Sequence, residues 1–127
     1  MSFRSHTELE VYRISFNSAM DIFQMTKGIP REERYSLVDQ IRRSSRSVIA
    51  NNAEAFRKRR YPLHFISKLS DAEGEAAETQ VWLDYSRSCG YIKEEESRRL
   101  KGEYDRVIGK LVTMMNQSDQ WLPRPSE

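Results

Sequence analysis

The stretch between residues 34 and 60 most constrains the fold, because its apolar residues have the spacing of one long helix. They recur every three or four positions, at Val38, Ile41, Val48, Ile49 and Phe56. This spacing is typical of an amphipathic helix that buries one stripe. At about 100° per residue, Arg42, Arg46 and Arg57 share a different face. The pattern therefore predicts a helix that packs a core and also carries a basic surface.

Proline and glycine divide the rest of the chain into further helical segments. Gly28 and Pro30 separate the first two segments, Pro62 opens the third and Gly90 ends it. No segment alternates with the period of a β-strand. We expect helices at about 7–27, 31–58, 62–88 and 93–117, and a disordered tail at 118–127. Four such helices with short connections predict one all-α domain over 1–127, an antiparallel up-down-up-down four-helix bundle.

The first helical segment has two apolar stripes. The first consists of Leu9, Tyr12, Phe16, Ala19 and Phe23, and the second of Val11, Ile14, Ile22 and Met25. Because a helix in an isolated bundle needs only one buried face, we expect the second stripe to form an oligomer interface. The alternative is one wide core face with scattered exposed apolar residues.

The residues that carry chemistry are too few for most enzymes. Neither His6 nor His64 follows a glutamate by three positions, which argues against the Glu-x-x-His motif of di-iron bundles. The single Cys89 excludes a disulfide framework and a cysteine-based metal site. The five glycines are dispersed and form no phosphate-binding loop. We expect no catalytic residues, no metal and no cofactor.

The chain lacks the pattern of a secretory signal peptide, and nowhere do five apolar residues follow one another. Association with a membrane is therefore not expected. A lone cysteine is also typical of a reducing compartment. These features predict a cytoplasmic protein.

Positive charge is concentrated in one part of the chain. Residues 42–60 contain seven basic residues and one acidic residue, whereas residues 61–90 contain two basic and five acidic residues. The densest run is Arg57, Lys58, Arg59 and Arg60. Such a run predicts sequence-nonspecific, salt-dependent contact with nucleic acid. Alternatively, cations at the end of a helix complement its dipole.

Arg42 and Arg46 have two interpretations. They extend the nucleic-acid-binding surface, or they pair with acids on the next helix. In antiparallel helices that meet near residue 60, residues whose numbers sum to about 120 lie at the same height. This rule places Arg42 level with Glu78 and Arg46 level with Glu75, which would allow Arg–carboxylate pairs within one subunit or between subunits.

One polar residue falls on the apolar stripe of the second helix. We expect Asn52 to be buried and hydrogen-bonded to Thr79, which lies on the core stripe of the third helix. Such a bond would fix the register of the bundle. The functional alternative is a polar pocket in the core.

Five segments resemble one bacterial family. They are LEVY at 9–12, GIP at 28–30, QIRRSSRSVIANNAEA at 40–55, AETQVWL at 77–83 and CGYI at 89–92. In this order they are similar to the bacterial four helix bundle proteins, also described as 23S ribosomal RNA intervening-sequence proteins. The sequence departs from the family at Ala55, where glycine is common, and at Glu75, where serine is frequent.

The resemblance implies a homopentamer. It also implies a more distant similarity to the accessory variability proteins of retroelements, whose basic pentameric barrels bind reverse transcriptase and nucleic acid. Most members of the family itself have no assigned biochemical function.

Two hypotheses follow. In the first, the chain is a non-enzymatic oligomer that binds RNA or single-stranded DNA through a basic rim, which the run from Arg57 to Arg60 forms. In the second, it is a protein-interaction assembly with no nucleic-acid role, and its charges serve salt bridges and helix capping.

Overall fold

The computed structural model describes residues 3–123, which form four long helices joined by short connections. These are α1 Glu10–Thr26, α2 Leu37–Arg57, α3 Pro62–Ser88 and α4 Glu94–Asn116. Short 3-10 helices cover His6–Glu8, Arg31–Glu33 and Ser118–Trp121. No strand occurs within residues 3–123, so the all-α class is confirmed.

Each helix packs against its two neighbours in a closed ring. α1 contacts α2, α2 contacts α3, α3 contacts α4, and α4 returns to α1. Over the described part of the chain, no Cα atoms of the diagonal pairs α1–α3 and α2–α4 lie within 8 Å of each other. This arrangement confirms the up-down-up-down bundle. The α1–α2 and α3–α4 connections lie at one end, and the α2–α3 connection lies at the other.

The helix ends follow local chemistry. Pro62 occupies the first turn of α3, where its missing N–H costs nothing. Gly90 has φ +79° just beyond α3, and the N–H of Tyr91 donates to the carbonyl of Ser86 at 2.9 Å. These features form a Schellman cap. The second helix begins later than predicted, because Arg31–Glu33 form a separate 3-10 turn before Leu37.

The main core runs the length of the bundle. All four helices contribute fully buried large side chains, which include Ile22, Ile41, Val48, Phe56, Phe65, Leu69, Leu83, Leu100, Tyr104, Val107 and Leu111. A smaller cluster of Ile29, Leu37 and Val38 closes the end where α1 connects to α2.

The prediction that the second stripe of α1 forms an oligomer interface is wrong for the residues that are buried within the single chain. Val11 and Ile22 are only 3% and 0% exposed within the single chain, and Ile14 and Met25 pack against the core. Since α1 contacts both α2 and α4, a wide face of the helix is covered. The apolar residues that α1 leaves exposed are Phe16 and Met20, each 45% exposed.

The predicted disorder after residue 117 is also wrong over the part that the structure describes. Trp121 is buried, its ring centroid lies 5.5 Å from that of Phe3, and it also packs near Phe65. Burial of this large ring explains why the chain turns back onto the bundle after α4. The remainder of the predicted tail, residues 124–127, lies outside the described residues.

None of the described helices combines the length and the apolar character needed to cross a membrane.

Candidate functional site

The basic run lies at the end of the bundle where α2 connects to α3. Arg57 is the last residue of α2, and the next three residues form the turn before Pro62. Arg57, Lys58 and Arg60 are exposed, and none of the three forms an ion pair with a residue in 3–123. Three uncompensated cations within four positions create a local positive field.

Arg59 differs from the other residues of the run. Its guanidinium lies 3.9 Å from the centroid of the Phe56 ring, and its Nη1 donates to the Phe56 carbonyl oxygen at 3.0 Å. The side chain thus satisfies a carbonyl in the last turn of α2 and complements the negative end of the helix. The capping interpretation therefore applies to Arg59.

Arg42 and Arg46 face α1. The Cζ atoms of Arg42 and Arg46 lie 4.7 Å and 6.0 Å from the ring centroid of Phe23, and Arg42 Nε donates to Thr26 Oγ1 at 2.9 Å. The Lys27 ammonium lies 4.8 Å from the same ring. One aromatic ring of α1 is thus surrounded by three cations.

Within one subunit the predicted pairs Arg42–Glu78 and Arg46–Glu75 are wrong, because Arg43 pairs with both glutamates. Arg43 Nη1 lies 2.8 Å from Glu75 Oε2, and Nη2 contacts Glu78. The height rule identified the correct acids. It did not fix the rotation of α2, and one residue corresponds to about 100° of rotation.

Arg43 joins a small polar network on the outer surface of α2 and α3. The hydrogen bond from Glu75, followed by the bond and charge of Glu78, raises the pKa of Arg43 despite its partial burial. Trp82 Nε1 donates to Glu78 Oε2 at 3.1 Å. Because Arg43 is half exposed, the network is worth only about 0–1 kcal/mol. The network links α2 to α3.

The predicted bond between Asn52 and Thr79 is also absent. Asn52 is 1% exposed, but neither its Nδ2 nor its Oδ1 has a hydrogen-bond partner within residues 3–123. Thr79 Oγ1 instead lies 2.8 Å from Ser44 Oγ and donates to the Glu75 carbonyl oxygen at 2.9 Å. Since Ser44 and Thr79 lie at one height, Asn52 is about two turns away along α2.

The basic residues of α4 provide a contrast to those of α2. All of them pair with carboxylates, namely Arg98 with Glu94, Arg99 with Asp21, Lys101 with Asp84, Arg106 with Glu10 and Glu103, and Lys110 with Glu10. Arg42, Arg46, Arg57, Lys58 and Arg60 have no such partner among the described residues. Unlike the cations of α4, these five residues along α2 and in the turn that follows it therefore keep an unpaired charge within residues 3–123.

Sequence reasoning missed three further cations. Lys27, Arg31 and Arg34 line a cleft together with Arg42, although they lie in different local elements. Glu32 and Glu33 separate Arg31 from Arg34 along the chain, so these residues do not appear as a basic run. Only the turn between α1 and α2 brings them together.

No group of three or more histidine, cysteine, aspartate or glutamate residues within residues 3–123 has the arrangement of a metal site.

A model of the 23S rRNA-intervening sequence proteins matches residues 7–113. This match covers most of the chain. The chain belongs to the 23S rRNA-intervening sequence protein family. The family resemblance carried by the sequence segments is thereby confirmed, and the matched region includes Arg42, Arg46 and the run from Arg57 to Arg60.

A solved structure agrees with this family assignment. The chain is similar to a protein of unknown function from the S23 ribosomal protein family of Bacteroides thetaiotaomicron, with 28% sequence identity and a TM-score of 0.76. The similarity covers 84% of this chain and 96% of that protein. No protein with a curated description is significantly similar to this chain.

Proposed function

We propose that this member of the intervening-sequence protein family is a non-enzymatic, cytoplasmic protein that binds RNA or single-stranded DNA. The basic rim formed by Arg57, Lys58 and Arg60 would contact phosphates, and Arg42 and Arg46 would extend the contact along α2. One observation carries the proposal. The cations of α4 are neutralised by carboxylates, whereas those of the rim and of this face of α2 are not, within residues 3–123.

The arrangement favours contact with the nucleic-acid backbone. Arg42 and Arg57 are separated by fifteen positions of one helix, which corresponds to about 22 Å. Cations distributed over such a length suit a chain of phosphates better than a single small anion. Their contacts would be independent of sequence and strongly weakened by salt. In the homopentamer implied by the family resemblance, the rim would be repeated and its field multiplied.

The test is fluorescence anisotropy with labelled RNA and single-stranded DNA of about ten nucleotides. Binding is measured between about 50 and 300 mM salt, where loss of phosphate contacts has its largest effect. The rim variant is Arg57→Gln/Lys58→Gln/Arg60→Gln, which leaves the capping residue Arg59 in place. The matched control, Arg98→Gln/Arg99→Gln/Arg106→Gln, removes the same charge from the exposed surface of α4.

We expect the wild-type chain to bind at low salt, and the rim variant to bind more weakly. The slope of log K against log salt should become shallower by about 2 in the rim variant, since each contact with a single strand contributes about 0.7. The α4 control should bind like wild type. Absence of binding by the wild-type protein at low salt would overturn the proposal, and so would equal losses in the two variants.

An exposed apolar stripe on α1 favours the second candidate function, a protein-interaction assembly. Phe16 and Met20 are each 45% exposed, and the Tyr12 ring stacks on Phe16 with a centroid separation of 5.9 Å. Apolar residues one turn apart on an outer face are typical of a helix-packing contact. Sedimentation of the Phe16→Ser/Met20→Ser variant tests this candidate. If the stripe mediates self-association, the variant should sediment as a smaller particle than the wild-type protein.

A further inference from the structure

A second basic site lies at the opposite end of the bundle from the rim. Lys27, Arg31, Arg34 and Arg42 line a cleft of about 620 Å³ between the end of α1, the following turn and the start of α2. This volume lies within the range of small-ligand sites. No carboxylate is among the residues that line the cleft. Four cations without a counter-ion repel one another, so an anion bound between them would relieve that repulsion.

Arg42 is held in place before any ligand arrives. Its Nε donates to Thr26 Oγ1 at 2.9 Å, and its guanidinium lies over the Phe23 ring. Thr26 is itself fixed, because its hydroxyl donates to the Phe23 carbonyl oxygen at 2.8 Å. The two Nη groups of Arg42 make no hydrogen bond with a residue in 3–123. A fixed guanidinium with free donors suits bidentate binding of a phosphate.

Neither acid of the turn, Glu32 nor Glu33, is among the residues that line the cleft, and Glu33 is engaged elsewhere. Glu33 accepts hydrogen bonds from Ser36 Oγ at 2.5 Å and from Tyr91 Oη at 2.9 Å, and it lines a different cleft together with Ser36 and Trp82. Glu33 therefore does not supply the missing counter-charge.

An exposed aromatic ring adjoins the cleft. Tyr35 is 83% exposed, and the Arg34 guanidinium lies 6.0 Å from its ring centroid. A ring of this kind can stack a base whose phosphate is held by neighbouring cations. The arrangement therefore suits a phosphate that carries a nucleoside.

We propose that the cleft between α1 and α2 is a phosphate-binding site, with Lys27, Arg31, Arg34 and Arg42 as its ligating groups. The phosphate belongs either to single-stranded nucleic acid or to a free phosphorylated small molecule. Only the first source rests on the function proposed above. In that case Arg42 binds a phosphate of the nucleic acid in the cleft, and the cleft forms a second contact with the nucleic acid that is remote from the rim.

Isothermal titration calorimetry with pyrophosphate at low ionic strength tests the site. The variant is Arg31→Gln/Arg34→Gln, since both residues are exposed and lie outside the long helices. We expect one pyrophosphate per chain and a loss of affinity of about tenfold or more in this variant. Arg98→Gln/Arg99→Gln and the rim variant should bind pyrophosphate like wild type. Absence of pyrophosphate binding by wild type, or unchanged affinity in Arg31→Gln/Arg34→Gln, would overturn the proposal.

Competition with a 5′-phosphorylated single-stranded oligonucleotide separates the two sources. Displacement of pyrophosphate, with weaker oligonucleotide binding in Tyr35→Ala, would assign the site to nucleic acid. Pyrophosphate binding without displacement would assign it to a small phosphorylated molecule. If wild type binds pyrophosphate but no oligonucleotide at any salt, the proposed function fails and the phosphate site stands.

Discussion

The Cζ atom of Arg42 lies 4.7 Å from the ring centroid of Phe23, across the contact between α1 and α2. This contact directs Arg42 away from α3 and leaves the acids of that helix to Arg43. Neighbouring arginines thus have different roles. Arg43 supports the α2–α3 contact, and Arg42 retains free donors on the α1 side of the bundle.

Replacement of Phe23 should weaken the proposed phosphate site without removing a cation. In Phe23→Leu, Arg42 loses one of its two anchors, and we expect pyrophosphate affinity to fall severalfold. Stability should fall by about 1 kcal/mol from the lost cation–π contacts. Calorimetric titration and thermal unfolding measure the two effects. Phe16→Leu on the same helix is the control, and an equal loss of affinity in that variant would contradict the positioning role.

A double-mutant cycle between Arg43 and Glu75 should show coupling of about 0.2–1 kcal/mol, decreasing as salt is added. The variants are Arg43→Gln, Glu75→Gln and their combination, measured by urea unfolding. The same cycle between Arg42 and Glu75 should give no coupling, because Arg42 faces α1. Coupling in the second cycle that exceeds the first would contradict the observed rotation of α2.

Asn52 should be replaceable by an apolar residue. Its buried amide has no partner among the described residues, so Asn52→Leu should stabilise the bundle by about 1–3 kcal/mol, the usual cost of an unsatisfied polar group. Chemical denaturation measures the change. Asn51→Leu is the comparison, since Asn51 Nδ2 donates to the Ser47 carbonyl oxygen at 2.9 Å. A net destabilisation in Asn52→Leu would show that the amide has a role that the single chain does not reveal.

The bond between Tyr91 and Glu33 should make stability depend on pH. Hydrogen bonds from Ser36 and then from Tyr91 lower the pKa of Glu33 below 4.5. A lowered pKa gives stabilisation above the unfolded value that is lost as pH falls through the folded value. Tyr91→Phe should therefore unfold at a lower temperature at neutral pH, and the difference from wild type should shrink under acid conditions. Tyr85→Phe, at an exposed tyrosine, should show no such pattern.

The hydrogen bond between Tyr91 and Glu33 should also affect the alkaline titration of the Tyr91 phenol. The hydrogen bond and charge of the Glu33 carboxylate raise the pKa of Tyr91 to about 12. The raised pKa of Tyr91 stabilises the fold below the unfolded value of 10.0, and this contribution is lost as pH rises through about 12. The difference in phenolate absorbance between wild type and Tyr91→Phe should be centred near that pH. A difference centred near 10 would contradict the bond.

The segment after α4 should contribute substantially to stability. Trp121 is 7% exposed and packs against Phe3 and Phe65, so Trp121→Ala should cost about 3–5 kcal/mol. Equilibrium unfolding followed by circular dichroism measures the loss. Leu122→Ala is the control, because Leu122 is 41% exposed, and its effect should stay within about 0.5 kcal/mol. If Trp121→Ala and Leu122→Ala had equally small effects on stability, the result would support the predicted disorder of this segment.

The sequence by itself determined the helices and their order. Apolar spacing in α2, Pro62 at the start of α3 and Gly90 at its end are local signals, and each acts within a few residues of the chain. The height rule also identified Glu75 and Glu78 as acids that face α2, because helical rise is the same in every helix.

Only the tertiary structure decided which face of each helix meets which neighbour. A shift of one residue rotates a side chain by about 100°, so periodicity could not distinguish Arg42 from Arg43 or assign the stripe of Val11 and Ile22 to the core. The hydroxyl contact between Ser44 and Thr79 and the cleft lined by Lys27 and Arg31 join segments that are separate in the chain. Such contacts depend on packing between elements, which local sequence patterns do not encode.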